Sequence, residues 1–97
     1  MNAAAPAVQP VSGPLVFDTV PVVYAATKSW FSGGSEMVLD LAAVTQVDSA
    51  GLGLVIEWLR LARSSGCTLR FVNVPSQMRV LAGVSGLQEI LAPLLGA

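Results

Sequence analysis

Two carboxylates and one hydroxyl lie near each other in the sequence, at Asp40, Asp48 and Ser49. Two carboxylates that meet in space can divide the roles of general acid and general base, so Asp40 and Asp48 are candidates for a catalytic pair. In the simpler interpretation, Asp40 accepts a hydrogen bond in a turn and Asp48 caps a helix. We favour the second interpretation and predict that the chain is not an enzyme.

Residue types that most reactive sites require are scarce in this chain. It contains no histidine and a single cysteine, Cys67, so Ser-His-Asp and Cys-His catalysis and the common transition-metal sites lack their groups. A lone cysteine also excludes an internal disulfide and suits a reducing compartment. No G-x-x-x-x-G-K-[ST] loop is present to bind nucleotide phosphates. We therefore expect no metal, no cofactor and no small-molecule substrate.

Charge is sparse and evenly spread. Of the 97 residues, 11% are charged and 54% apolar, the net charge is −1, and the mean hydropathy is +0.69. No basic stripe is available for phosphates, so we expect no nucleic acid partner. Prolines and charges interrupt each apolar stretch before the roughly 20 residues that a membrane span needs, and no signal peptide is visible. We expect a soluble cytoplasmic domain whose apolar excess is covered by a partner.

Strand and helix patterns alternate along the chain and predict one α/β domain with a mainly parallel central sheet packed by helices. The predicted strands are an edge strand or bulged hairpin remnant over 8–17, a buried central strand over 37–42, and a strand over 68–74. A loop with Val44 and Val47 is expected after the central strand. Helices are predicted over 20–31, capped by Thr19, and over 50–63 and 77–84, with a last turn over 87–91. Residues 1–10 are predicted as a poorly ordered or edge segment and residues 11–97 as the domain.

The helix predicted over 50–63 is apolar around more than half of its circumference. One stripe is expected to face the sheet, namely Leu52, Val55, Ile56, Leu59 and Ala62. An adjoining stripe contains Leu54, Trp58 and Leu61. Either neighbouring helices cover this second stripe, or Trp58 belongs to a partner interface, where tryptophan is enriched.

The third face of the same helix carries Ser49, Gly53, Glu57 and Arg60. Glycine inside a helix costs about 1 kcal/mol relative to alanine, so Gly53 is either tolerated near the helix start or allows another backbone to approach closely. The helix start at Asp48 and Ser49 could bind an anion, including a phosphoserine, because its N–H groups and dipole favour negative charge. Plain capping explains the same residues equally well.

The segment over 37–59, MVLDLAAVTQVDSAGLGLVIEWL, closely resembles the core of STAS domains. The family pattern is an apolar strand ending in Asp-Leu, a short loop, and Asp-Ser-(small)-Gly-Leu-Gly opening a helix. The segment over 69–91, LRFVNVPSQMRVLAGVSGLQEIL, also fits the later part of the family. The resemblance covers about residues 11–93, and the part before Val11 matches poorly.

The resemblance points to one branch of that family in particular. In STAS anti-sigma factor antagonists, the switch serine directly precedes the first motif glycine, and here that position is Ala50. Ser49 instead matches the hydroxyl position of the small MlaB-like STAS subunits of Mla-type phospholipid ABC transporters. Similarity to these subunits implies a non-catalytic accessory protein that binds the transporter's ATPase subunit, which alone binds ATP. The alternative is an antagonist in a serine-phosphorylation partner switch, with Ser49 as the possible phosphorylation site.

The resemblance also implies which residues bind the partner and where the protein acts. Carried over residue by residue, the docking loop and helix face comprise Asp48, Ser49, Ala50, Gly51, Leu52, Gly53 and Glu57. By the same resemblance, the complex would move phospholipids and maintain the lipid asymmetry of an outer membrane. The chain would be cytoplasmic and reach the inner membrane only through that complex.

Overall fold

A three-stranded parallel sheet forms the centre of the fold. The computed structural model describes residues 7–31, 36–87, 89 and 91. Strands β1 (Ala7–Leu15), β2 (Glu36–Val47) and β3 (Thr68–Val72) lie in the order β1-β2-β3, and both neighbouring pairs are parallel. The predicted parallel α/β architecture is therefore confirmed, with β2 as the central strand.

In the described part of the chain three helices accompany these strands, and the first two connect them. They are α1 (Val20–Thr27), which a 3-10 turn over Lys28–Trp30 extends, α2 (Ser49–Ser64) and α3 (Ser76–Val84). The predicted last turn is supported by the Leu91 N–H, which donates to the Leu87 carbonyl over 3.0 Å. In the part of the chain that the structure describes, no helix is long and apolar enough to cross a membrane.

Strand β1 lies at one edge of the sheet, as its prolines predict. The alternative of a hairpin remnant is wrong, because β1 pairs with β2 in parallel. The ladder shifts register between Pro10 and Ser12 and between Gly13 and Pro14, as expected where prolines lack an N–H to donate. Residues 7–10 belong to this strand, while residues 1–6 lie outside the described residues.

Strand β2 is longer than predicted. The loop expected around Val44 and Val47 is in fact its second half, which pairs with the end of β1 from Ser12 to Leu15. That pairing satisfies backbone groups whose partners lie some 30 residues earlier, so the local pattern could not reveal it. At the other edge of the sheet, β3 ends two residues early because Asn73 turns the chain with a positive φ of 56°.

Helix α2 packs one face into the core that it shares with the sheet. Leu52, Val55 and Ala62 are buried as predicted, but Ile56 is 40% exposed and does not face the sheet. Trp58 is fully buried: its indole Nε1–H donates to the Thr27 hydroxyl over 2.8 Å, and its ring lies 6.3 Å from that of Phe71. Trp58 is thus a core residue, and the hypothesis that it contacts a partner is wrong.

Thr19 precedes α1, as predicted, but its hydroxyl does not cap the helix. The hydroxyl donates to the Pro14 carbonyl over 2.7 Å and accepts the Val16 N–H over 3.0 Å. Thr19 therefore stabilises the connection from β1 to α1 rather than the first turn of the helix.

Candidate partner-binding site

Asp48 fixes the start of α2. One carboxylate oxygen accepts the N–H groups of Ala50 (2.9 Å) and Gly51 (3.2 Å), and the other accepts the N–H of Phe17 (3.1 Å). Desolvation raises the pKa of the Asp48 carboxyl, but these hydrogen bonds outweigh it and hold the pKa below its ordinary value of 3.8. The capping role predicted for Asp48 is confirmed.

Gly51 and Leu52 lie inside the domain rather than on its surface. A Cβ at Gly51 would lie 2.2 Å from the carbonyl oxygen of Leu15 and 3.1 Å from a methyl of Val47. The missing side chain therefore lets α2 begin directly against the ends of β1 and β2. Leu52 is 2% exposed. Their expected contact with a partner is corrected to a packing role, because the fold already encloses both residues.

Gly53, two residues further along, has the opposite environment. It is exposed, and a Cβ built on it would meet no atom within 4 Å. The cost of a glycine inside a helix suggested that another backbone approaches Gly53 closely. No backbone does so within the described part of the chain. Together with exposed Ser49 and half-buried Ala50, Gly53 leaves the outer face of the first turns of α2 without bulky side chains.

A shallow groove of about 380 Å³ runs between these turns and α1. Its α1 wall is formed by Val20, Pro21 and Tyr24, and its α2 wall includes Ala50, Gly53 and Glu57. Phe17, whose backbone is bonded to Asp48, is 77% exposed. Phe17 was not among the predicted site residues, because only its position after a proline-interrupted strand could have suggested a surface aromatic.

Glu57 is the acidic group of this groove. Arg60, one helical turn later, hydrogen-bonds its carboxylate and forms an ion pair with it. That hydrogen bond is the main cause that lowers the pKa of Glu57; desolvation opposes it, and the Arg60 charge and Tyr24 add to it. The groove thus combines an apolar floor with a carboxylate that stays ionised.

Family comparison extends over nearly the whole chain. The family described as "Mlab, STAS domain" matches residues 2–95. The chain belongs to this STAS domain family. No curated protein matches it significantly. The match includes all of β1. The part of the chain before Val11, which resembles the family pattern poorly, therefore still lies within the MlaB-like domain.

The two candidate carboxylates of this STAS domain do not form a pair. Asp40 lies in β2 and Asp48 follows its last residue, and extended chain rises about 3.3 Å per residue, so on the order of 25 Å separates them. Asp40 instead accepts hydrogen bonds from the Asn73 amide (2.9 Å) and the Ala42 N–H (3.0 Å), both of which lower its pKa. Among the described residues, no group of three or more His, Cys, Asp or Glu could hold a metal ion.

The residues of the STAS motif therefore fall into two groups. Asp48, Gly51 and Leu52 build and pack the helix start, whereas Ser49, Ala50, Gly53 and Glu57 face the surface or the groove. At the position of the antagonists' switch serine, Ala50 contributes a methyl to the groove wall. The Ser49 hydroxyl is exposed and has no hydrogen-bond partner among the described residues.

Proposed function

We propose that this chain is a non-catalytic STAS subunit that binds the ATPase subunit of an Mla-type phospholipid ABC transporter. In this role it stabilises and regulates the ATPase, lies in the cytoplasm, and reaches the inner membrane only through the complex. ATP is bound by the partner, and the transporter maintains the lipid asymmetry of the outer membrane.

The observation that carries the proposal is the set of small residues on the outer face of the first turns of α2. A helix start with exposed Ser49 and Gly53 lets a partner backbone come closer than larger side chains would permit. Glycine is costly at an exposed helical position, and nothing in the described fold requires Gly53 to lack a side chain. Contact with a second protein would explain why this position is a glycine.

The surroundings of this helix start suit protein binding. The groove beside it is apolar and open, so a partner side chain could enter between Tyr24 and Gly53. Exposed Phe17 can act as an anchor, because buried aromatic residues contribute much of the affinity at protein interfaces. Glu57 lines the groove as one half of its ion pair with Arg60, so it gives the apolar surface a polar edge.

Co-expression with the ATPase subunit encoded by the same organism tests the proposal. The unaltered chain should co-purify with the ATPase, and Gly53→Leu should lose the partner while remaining folded, since a Cβ there meets no atom of its own fold within 4 Å and the side chain can extend into the open groove. Ser64→Leu, an exposed small residue at the other end of α2, is the matched control and should retain the partner. Equal recovery of both variants would contradict the docking surface.

The same material distinguishes the alternative role. Ala50 cannot accept phosphate, so a partner-switching serine kinase should leave this STAS domain unmodified at the antagonists' usual position. Mass spectrometry after incubation with the kinase and ATP measures this directly. Stoichiometric phosphate on Ser49, together with loss of an anti-sigma partner, would replace the transporter proposal with the antagonist function.

A further inference from the structure

A cavity lies away from the groove, beside the C-terminal half of α2. It has a volume of about 670 Å³ and lies between α2, the start of β3 and the C-terminal turn. Its apolar wall includes Leu59, Leu69, Leu87 and Leu91. This size and lining are typical of sites that take small organic ligands, which are usually apolar with a few placed polar groups.

Two arginines of α2, Arg60 and Arg63, also line this cavity. Arg60 is paired with Glu57. Arg63 is exposed and, among the described residues, lies within salt-bridge distance of no carboxylate. No acidic residue is among the described residues that line the cavity. Within the described residues, the site therefore combines an apolar interior with a guanidinium that no carboxylate neutralises.

We propose that this cavity binds a single-chain amphiphile with an anionic head, of which a fatty acid is the simplest. The acyl chain packs against the leucines, and the carboxylate binds the guanidinium of Arg63, whose planar donors match a carboxylate in a bidentate arrangement. Burial of the chain supplies most of the affinity, and the arginine sets the preference for head-group charge. This site shares no lining residue with the groove at the helix start.

Displacement of a fluorescent fatty acid, dansyl-undecanoate, from the full chain tests the proposal. Saturated carboxylates of increasing length should displace it, with affinity rising about fourfold per added methylene until the cavity is full. Dodecanol, which has the same chain and a neutral head, should bind about tenfold more weakly than dodecanoate. Dodecyl sulfate, with an anionic head but no carboxylate, distinguishes a general preference for anions from a preference for carboxylates.

Substitutions inside and outside the cavity test whether the ligands bind there. Arg63→Gln should reduce the affinity for dodecanoate about tenfold while leaving that for dodecanol unchanged. Arg70→Gln, at an exposed arginine of β3 outside the cavity, is the matched control and should change neither. Leu87→Trp should weaken both ligands by filling the interior, with thermal melting reporting that the variant is folded.

Three results would overturn the proposal. The first is that no chain length displaces the probe saturably. The second is that dodecanoate binds no better than dodecylammonium, which has the same chain and a cationic head. The third is that Arg63→Gln and Arg70→Gln have equal effects. The proposal is also wrong if a partner protein, and none of the amphiphiles, protects the residues that line this cavity from chemical modification. The cavity is then a second protein contact.

Discussion

Phe17 and Asp48, 31 positions apart in the chain, are joined by a 3.1 Å hydrogen bond from the backbone N–H of Phe17 to the Asp48 carboxylate. The Asp48 N–H in turn donates to the Leu15 carbonyl over 3.3 Å. These contacts hold the β1–α1 connection against the start of α2. They place an exposed aromatic residue beside the helix turns that we propose as the docking surface.

Acid should weaken the fold in part through Asp48. Its pKa is lower in the folded chain than its ordinary value of 3.8, so its stabilising effect is complete above that value and is lost as the pH falls through the folded pKa. In Asp48→Asn, one side-chain oxygen becomes an N–H₂ donor and can no longer accept from both Phe17 and α2. We expect this variant to be less stable at neutral pH and to lose less stability on acidification. Urea denaturation at a series of pH values measures both effects.

The control for that experiment is Asp18→Asn. Asp18 is exposed and accepts no hydrogen bond from the described residues, so its replacement should leave the acid dependence of the wild-type chain intact. If the two variants gave parallel curves, the stabilisation would not come from the bonds made by Asp48.

Two glycines of the same motif should respond in opposite ways to alanine. Gly51→Ala forces a Cβ onto the Leu15 carbonyl oxygen and should lower the free energy of unfolding by roughly 1–3 kcal/mol, as in other overpacked sites. Gly53→Ala adds a methyl in open space and should raise it by up to about 1 kcal/mol through helix propensity. Urea unfolding of the two variants under one set of conditions decides this. Destabilisation by Gly53→Ala would mean that Gly53 has an internal role.

The bond between Trp58 and Thr27 should be measurable in the stability of the core. Thr27→Val keeps the shape of the side chain but removes the acceptor of the Trp58 Nε1–H. A buried donor without a partner costs about 1–3 kcal/mol, so the unfolding midpoint in urea should fall accordingly. Thr27→Ser retains the hydroxyl and should recover most of the loss. A larger effect of the serine variant would instead indicate that the methyl packing dominates.

Charge at the helix start should separate folding from binding. In Ser49→Glu, a negative charge at the N-terminus of α2 is favourable to the helix dipole, so stability should change by less than about 1 kcal/mol. Against a partner, the same charge would be desolvated without a counter-ion, and co-purification with the ATPase should be lost. Ser76→Glu, at the exposed start of α3, is the matched control and should co-purify normally. Recovery of Ser49→Glu with the ATPase would exclude this helix start from the interface.

Much of the architecture follows from local pattern. Apolar runs and turn residues predicted the central strand, the α2 helix and the parallel α/β class, because side-chain periodicity reflects the face that each element buries. Asp48 was predicted as a cap because short polar side chains before a helix satisfy its free N–H groups. The alanine at position 50, which removes the antagonists' usual phosphate acceptor, is likewise visible in the sequence.

Other properties depend on contacts between residues that are distant in the chain, and only the tertiary structure decided them. The second half of β2 is a strand because it pairs with β1, and Trp58 is buried because Thr27 and Phe71 meet it. Gly51 and Gly53 are the same residue type two positions apart. The Leu15 carbonyl crowds Gly51, whereas no described atom lies within 4 Å of a Cβ built at Gly53, so one glycine is required by the fold and the other is not. Helical periodicity cannot make this distinction, because it says which direction a residue faces and not what lies there.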